Sequence, residues 1–313
     1  MTSWPGQPVT VVAPATSANL GPGFDSLGLA LSLYDTVQAR VAESGVAVQV
    51  TGMGADRADR PDRHLVIRAM RAGFTATGGQ PPGIVVSCRN DVPQGFGLGS
   101  SAAAIVAGLL AARALAAARE AAAEPAGVLS DATVLRLACD MEGHPDNVAA
   151  CLAGGLIITF DTVAGLGVAR LEPLPGLAPV VCMPATPVAT KTARMALPEQ
   201  VPHADAAANS ARAALLTAAL TGRPDLLLAG TEDFLHQRYR AATMPETAAL
   251  VTALRAAGIP AVMSGAGPSV LALTMADRPA GAAEVAQIAG RAGGSWRVLP
   301  LRVDAAGARV LGG

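Results

Sequence analysis

Lysine is almost missing from this chain: Lys191 is the only one among 313 residues. A Walker A loop places lysine directly before its final Ser or Thr, so that phosphate-binding motif is excluded. Charge of either sign is scarce, at 15%, and the formal net charge is -1, without the basic excess that a nucleic-acid binder needs. The four cysteines, Cys88, Cys139, Cys151 and Cys182, form no CxxC pair and sit among apolar neighbours, which predicts buried structural thiols. The longest apolar run near the middle, Ala102 to Ala112, stops at Arg113 and is too short to span a bilayer. The start, MTSWPGQPVTVV, lacks a basic segment followed by an apolar core and cleavage site. These absences lead to the expectation of a soluble cytoplasmic protein with no nucleic-acid or membrane partner.

Apolar residues make up 51% of the chain, enough to bury a sizeable core, and the length favours about two domains. Short β-branched runs read as strands at 9–14, 46–50, 83–88, 156–160, 179–183, 261–265, 270–274 and 296–303. Helices are expected at 64–76, 101–119, 131–141, 204–220, 225–236, 245–257 and 280–291. The alanine-rich stretch 116–126 reads as a helix tail and loop. Five prolines between Pro173 and Pro187 mark a crossing between domains just before them, giving units of 1–165 and 166–313. The alternation of the two element types indicates a mixed α/β or α+β protein.

One stretch carries more chemistry than the rest. PQGFGLGSSAAA, residues 93–104, lies between a predicted strand and a predicted helix. Gly95, Gly97 and Gly99 let the backbone turn tightly and let a ligand reach main-chain amides. The first turn of the following helix offers free N–H groups and the positive end of its dipole. Ser100 and Ser101 can cap that helix or ligate Mg²⁺. The combination suggests a bound polyphosphate with its metal, while a serine-capped structural turn is the plainer alternative. A dinucleotide fingerprint is excluded, because Ser100 stands where its third glycine belongs.

PQGFGLGSSAAA resembles the phosphate loop of the GHMP kinases. Two further segments match that family in order: PATSANLGPGFDSLGLAL (14–31) resembles its first motif, and MSGAGPSVLAL (263–273) its third. Within the family, ANLGPGFD, EGHPDNVAA (142–150), ATKTAR (189–194) and DFLHQRYR (233–240) are similar to the homoserine-kinase form. The resemblance implies an α+β, two-domain fold: an N-terminal unit like domain 2 of ribosomal protein S5, holding the ATP site, and a ferredoxin-like C-terminal unit. It implies ATP-dependent phosphorylation of L-homoserine, a step towards threonine, with Mg²⁺. Family members are often homodimers.

The residues themselves suit an amino acid that carries an ammonium, a carboxylate and a hydroxyl. Arg194 and Arg240 offer planar bidentate donors for a carboxylate. Asp25 offers a negative charge for the ammonium, and Asn19 and Asn147 can hydrogen-bond to amine or hydroxyl. The resemblance implies the same roles, adds Thr190 near the carboxylate and His144 in the pocket wall, and makes Glu142 the Mg²⁺ carboxylate beside Ser100 or Ser101. It places Asn19, Ser101, Glu142 and Arg194 at the reaction, and Pro93, Gly95, Gly97, Leu98, Gly99, Ser100, Ser101 and Ala102 on the nucleotide. His64 stands where many relatives have asparagine near the adenine. Two readings of it stay open, a hydrogen bond to the base or a simple replacement at a helix start.

Each residue also has a plainer reading. Asp25, Asn19 and Asn147 could cap turns, the two arginines could lie on a solvated face, and His144 could be structural. No pair suited to deprotonate the acceptor is present, so no general base is named. The alternatives are a GHMP kinase for another small alcohol, such as mevalonate or a sugar, and a catalytically silent relative that binds ATP or an amino acid.

Overall fold

The computed structural model describes residues 4, 6–55, 61–120, 129–163, 165–277 and 281–311. Its strands are β1 (Val9–Ala18), β2 (Leu27–Ala42), β3 (Gly45–Gly52), β4 (Gly83–Asn90), β5 (Leu156–Thr162), β6 (Gly165–Leu171), β7 (Leu177–Pro184), β8 (Ala261–Met263), β9 (Val270–Met275), β10 (Trp296–Pro300) and β11 (Arg309–Leu311). They form two sheets. One runs β11-β1-β2-β4-β3, with β5 pairing β2 and β6 extending from β5; the other runs β10-β7-β9-β8. All pairs are antiparallel except β3 with β4.

The helices are α1 (Leu65–Ala76), α2 (Ser100–Glu120), α3 (Asp131–Glu142), α4 (Pro145–Ala153), α5 (Thr190–Met195), α6 (His203–Thr221), α7 (Leu227–Gly230), α8 (Gln237–Arg240), α9 (Pro245–Ala256) and α10 (Gly281–Arg291). In α1 the buried residues Val66, Ala69, Met70, Gly73 and Phe74 recur every three to four positions, so one face packs inward. It lies close against α2 because Gly108 has no side chain: a Cβ there would stand 2.6 Å from the Val66 carbonyl oxygen. By length and composition alone α2 could cross a bilayer, which the run ending at Arg113 did not suggest. Here it is instead a core helix, packed on β1, α1, α3 and α4.

Among the described residues, three large apolar clusters form the core. The first lies between α1–α4 and the larger sheet. The second joins the sheets to each other, with Ala15, Leu29 and Leu31 beside Val181, Leu271 and Leu273. The third lies between α9, α10 and the smaller sheet. Cys88, Cys151 and Cys182 are buried as expected and Cys139 is half-buried; all four thiols are free. Burial pushes the Cys88, Cys139 and Cys182 thiols up to about 12, which keeps them protonated and inert.

Several elements depart from expectation. The strand at 9–14 continues to Ala18, with a register shift between Pro14 and Ala15. A proline in a central strand can be accommodated at such a bulge because it has no N–H to donate to the ladder. The strand at 261–265 stops at Met263, because Gly265 turns with φ +56° and its N–H bonds to the Ala18 carbonyl at 3.1 Å. The single helix expected at 225–236 does not form. Helix α7 ends at Gly230, and the buried Asp233 carboxylate accepts the N–H groups of Leu235, His236 and Gln237, which starts α8 instead. Helix α2 carries the alanine-rich stretch as far as Glu120, and 121–126 lie outside the described residues.

Candidate active site

The loop between β4 and α2 is held at both ends. Where it leaves β4, the buried Asp35 carboxylate on β2 accepts the N–H groups of Asp91 and Val92, each at 2.8 Å. Farther along, the Leu98 carbonyl accepts the Thr16 N–H at 3.0 Å, and the Gly97 carbonyl accepts the Ser264 hydroxyl at 2.7 Å. The glycines are required by both conformation and space. Gly97 and Gly99 have φ of +70° and +68°. A Cβ on Gly97 would stand 2.2 Å from the Ser264 carbonyl oxygen, and one on Gly99 would stand 1.9 Å from Thr16 Oγ1.

Helix α2 begins at once, and the Ala103 N–H is the first to bond back, to the Gly99 carbonyl at 2.9 Å. The amides of Ser100, Ser101 and Ala102 precede that bond, so they stand at the end of the helix where donors are free for an anion. Ala102 contributes only its backbone, since its side chain is wholly buried in the core. Ser101 Oγ donates to Glu142 Oε1 at 2.6 Å. Glu142 is where it is because α3 ends there: Gly143 adopts φ +89°, and α4 restarts with His144 as N-cap and Pro145 in its first turn. Asn147 in α4 accepts the Thr16 hydroxyl at 2.7 Å, so it is anchored under the same loop. His144 Nδ1 lies 3.2 Å from Asp146 Oδ1, and that hydrogen bond holds the imidazole above its ordinary pKa despite burial.

Opposite the loop lies the turn between β1 and β2. Asn19, Leu20 and Asp25 all adopt left-handed φ there, at 65°, 51° and 52°. Asn19 secures the turn: its Oδ1 accepts the Asp25 N–H at 2.9 Å and its Nδ2 donates to the Gly265 carbonyl at 2.8 Å. Asp25 pairs with Arg194 at the end of α5, Nη2 to Oδ1 at 2.7 Å. Arg240 is buried, and its Nε donates to the Ala193 carbonyl at 3.2 Å. Burial, together with the neighbouring Arg194 charge, lowers its pKa to about 10, which leaves it protonated at neutral pH.

Apart from Ala102, every candidate site residue named from the sequence lines one cleft of about 630 Å³, including Thr190, Pro93, Gly95, Leu98 and Ser100. His64 is the N-cap of α1; among the described residues it makes no cap bond and its buried Nδ1 has no partner, and burial lowers its pKa. The cleft also contains residues that sequence reasoning missed, Asp35, Gln94 and Asp146 among them. Asp146 could have been found, since it lies within the EGHPDNVAA segment. Asp35 carried no local signal.

Comparison with known proteins gives the family of the chain. Residues 64–155 match the model of the GHMP kinases N terminal domain, and residues 211–294 match that of the GHMP kinases C terminal domain. The homoserine kinase of Streptomyces avermitilis is 53% identical over 303 residues, 97% of this chain and 95% of that one. That of Streptomyces coelicolor is 52% identical over 303 residues, 97% of this chain and 94% of its own. The crystal structure of homoserine kinase from Cytophaga hutchinsonii superposes with a TM-score of 0.82 at 28% identity, covering 99% of both chains. The chain therefore belongs to the two-domain GHMP kinases, in their homoserine kinase branch.

Proposed function

We propose that the chain transfers the γ-phosphoryl group of ATP to the side-chain hydroxyl of L-homoserine, giving O-phospho-L-homoserine and ADP. GHMP kinases use ATP as phosphate donor, and the relatives above are homoserine kinases. One observation carries the reading to this chain's own residues. A glycine loop running into a helix N-terminus shares a single cleft with Asp25, Arg194 and Arg240, a set of charges complementary to a free amino acid.

In this reading the amides of Ser100, Ser101 and Ala102 receive the phosphate oxygens, and Gly95, Gly97 and Gly99 let them approach. Asp25 takes the ammonium and Arg240 and Arg194 the carboxylate, with Thr190 beside it. Asn19, His144 and Asn147 surround the part of the acceptor that carries its hydroxyl. His64 faces the nucleotide from the start of α1. Phosphoryl transfer needs little covalent help, so the work of these residues is to place the hydroxyl in line and to balance charge.

The oxygen donors Ser101 Oγ and Glu142 Oε1, 2.6 Å apart beside the helix terminus, fit a small hard cation such as Mg²⁺. Among the described residues no cluster of three acidic, histidine or cysteine side chains is available. One carboxylate and one hydroxyl suffice for Mg²⁺ that is also held by phosphates. When bound, it would neutralise charge developing on the transferred group.

The test is ADP release by the purified protein with Mg²⁺ and ATP, in parallel with L-homoserine, mevalonate, galactose, L-serine and no acceptor. Release confined to homoserine is the expected result. Release with mevalonate or galactose alone would overturn the amino-acid pocket, and no release with any acceptor would favour a silent relative.

A further inference from the structure

The segment DFLHQRYR supplies Arg240 to the cleft, but its histidine has no part in the reading above. His236 is wholly buried. Its Nε2 lies 2.9 Å from the Gly21 carbonyl oxygen, and its Nδ1 lies 2.9 Å from Arg240 Nη1. A carbonyl can only accept a hydrogen bond and a guanidinium can only donate. Both contacts are therefore satisfied by one form of the ring, the neutral tautomer with hydrogen on Nε2 and a free lone pair on Nδ1. The imidazolium would instead aim an N–H at the guanidinium. Burial holds the imidazole below its ordinary pKa, opposed by Asp233 and aided by Arg240, so the neutral form is the stable one.

The two contacts join the two halves of the amino-acid pocket. Gly21 belongs to the turn between Asn19 and Asp25, while Arg240 ends α8. Phe24 of the same turn lies against the imidazole with ring centroids 5.2 Å apart, and the Arg240 guanidinium carbon stands 5.7 Å from the Phe24 ring centroid. Arg240 is otherwise held by the Ala193 and Gly265 carbonyls through Nε and Nη1. Among the described residues this leaves Nη2 without a protein partner.

We propose that His236, as its neutral Nε2–H tautomer, is a positioning residue that fixes the Arg240 guanidinium against the Asn19–Asp25 turn and directs Nη2 at the carboxylate of the acceptor. This rests on the reading that Arg240 binds that carboxylate. His236 touches no reacting atom; it acts through Arg240.

Three variants separate positioning from packing. In His236→Asn the amide oxygen can stand near the Nδ1 position and accept from Arg240. In His236→Gln the amide reaches the Nε2 position instead, and His236→Phe offers no acceptor. The expected result is a homoserine KM raised about 30-fold in the Gln and Phe variants and within about fivefold of wild type in Asn, as loss of a hydrogen bond to a charged group implies. The KM for ATP and kcat should stay within about threefold throughout, since only acceptor binding is altered. A wild-type homoserine KM in folded His236→Gln would overturn the proposal. Equal defects in the Asn and Gln variants, or an ATP KM rising in parallel, would do the same by pointing to packing. Leu254→Ala, a core change in α9, controls for lost stability and should lower Tm while leaving the homoserine KM alone.

Arg240→Ala run alongside distinguishes the two claims. An unchanged homoserine KM in Arg240→Ala would remove the carboxylate reading, whereas a raised KM there with a wild-type KM in His236→Gln would remove the His236 proposal alone. A readout independent of activity is the ¹⁵N spectrum of the four histidines, with His236 assigned by its loss in His236→Asn. The expected signature at neutral pH is a protonated Nε2 and an unprotonated Nδ1. A protonated Nδ1 would overturn the proposal.

Discussion

Arg194 and Asp25, 169 residues apart in the chain, meet in a two-point ion pair, with Nη2 at 2.7 Å from Oδ1 and Nη1 at 3.3 Å from Oδ2. Both side chains are more than a third exposed, at 40% and 36%. Such a pair contributes about 0–1 kcal/mol to stability, because water screens it. In the function proposed above its greater consequence is for the acceptor, whose carboxylate and ammonium have the same two charges as the pair's own members. Entry of the amino acid can exchange one pairing for two, with Arg194 turning to the carboxylate and Asp25 to the ammonium.

Asp25→Asn and Arg194→Met should therefore raise the homoserine KM by about 10- to 100-fold, the worth of a charge-assisted contact. Unfolding free energy should change by less than about 1 kcal/mol in either variant. Steady-state kinetics and urea unfolding on the same preparations check both expectations. Large stability losses with normal KM values would make the pair structural.

Glu142→Ala should lower kcat by at least about tenfold and shift the Mg²⁺ concentration for half-maximal rate upward, while the homoserine KM stays near wild type. The reason is that its carboxylate would share the cation with phosphates in the transition state, where charge neutralisation matters most. Ser101→Ala should act in the same direction but more weakly, because it removes a neutral ligand and leaves the charge. Titrating Mg²⁺ at fixed ATP decides it; a normal Mg²⁺ dependence in Glu142→Ala would remove that residue from the metal site.

How far the sequence reported this site depends on how local each feature is. The phosphate loop was legible because its glycines, serines and helix start are consecutive residues whose chemistry needs no distant partner. Glu142 and His144 entered only through the resemblance of EGHPDNVAA to the homoserine-kinase form; the helix break between α3 and α4 that gathers them with Asn147 within six residues had no expectation behind it. Strand β2 was not: residues 27–31 are buried on both faces and show no alternation, and the alternating part begins only after the register shift opposite Pro14. The break between α7 and α8 was hidden because it depends on burial of the Asp233 carboxylate, a tertiary event. Asp35 was hidden because the N–H groups it serves lie 56 and 57 residues away.

Gly99→Ala should abolish detectable phosphoryl transfer more completely than any single polar substitution. The methyl group would meet Thr16 Oγ1 at 1.9 Å and Asn147 Oδ1 at 3.1 Å, and the residue would also have to keep φ near +68°. Thr16 and Asn147 are bonded to each other, so relief of the clash breaks that bond or moves the loop off the α2 N-terminus. Left-handed φ on a non-glycine residue costs about 1–2 kcal/mol before the clash is counted. Gly78→Ala is the matching control, since φ there is +81° but nothing lies within 4 Å of the added methyl. It should lose stability by a similar conformational amount and keep full activity. Equal activity in the two variants would show that the loop tolerates the displacement.

Asp35→Asn should remove a slope from the pH dependence of stability. Burial raises the Asp35 carboxyl from 3.8 to about 6, with the Asp91 and Val92 amides pulling it back down. Its folded pKa is thus above its unfolded one. Between about pH 4 and 6 the folded protein keeps a proton that the unfolded chain has released, so this group's contribution falls as pH rises through that window. Above pH 6 both states are ionised and the cost of the buried charge is constant. A shift of about two units corresponds to roughly 2–3 kcal/mol. Asparagine can still accept both amides through its side-chain oxygen but carries no charge. The variant should therefore gain about 2–3 kcal/mol relative to wild type on going from pH 4 to pH 7, measured by urea unfolding at each pH. Taking the difference between the two proteins cancels the titration of every other group, so parallel curves would mean that Asp35 has an ordinary carboxylate pKa. A difference that grows as pH falls would mean that the loop amides, rather than burial, dominate its environment.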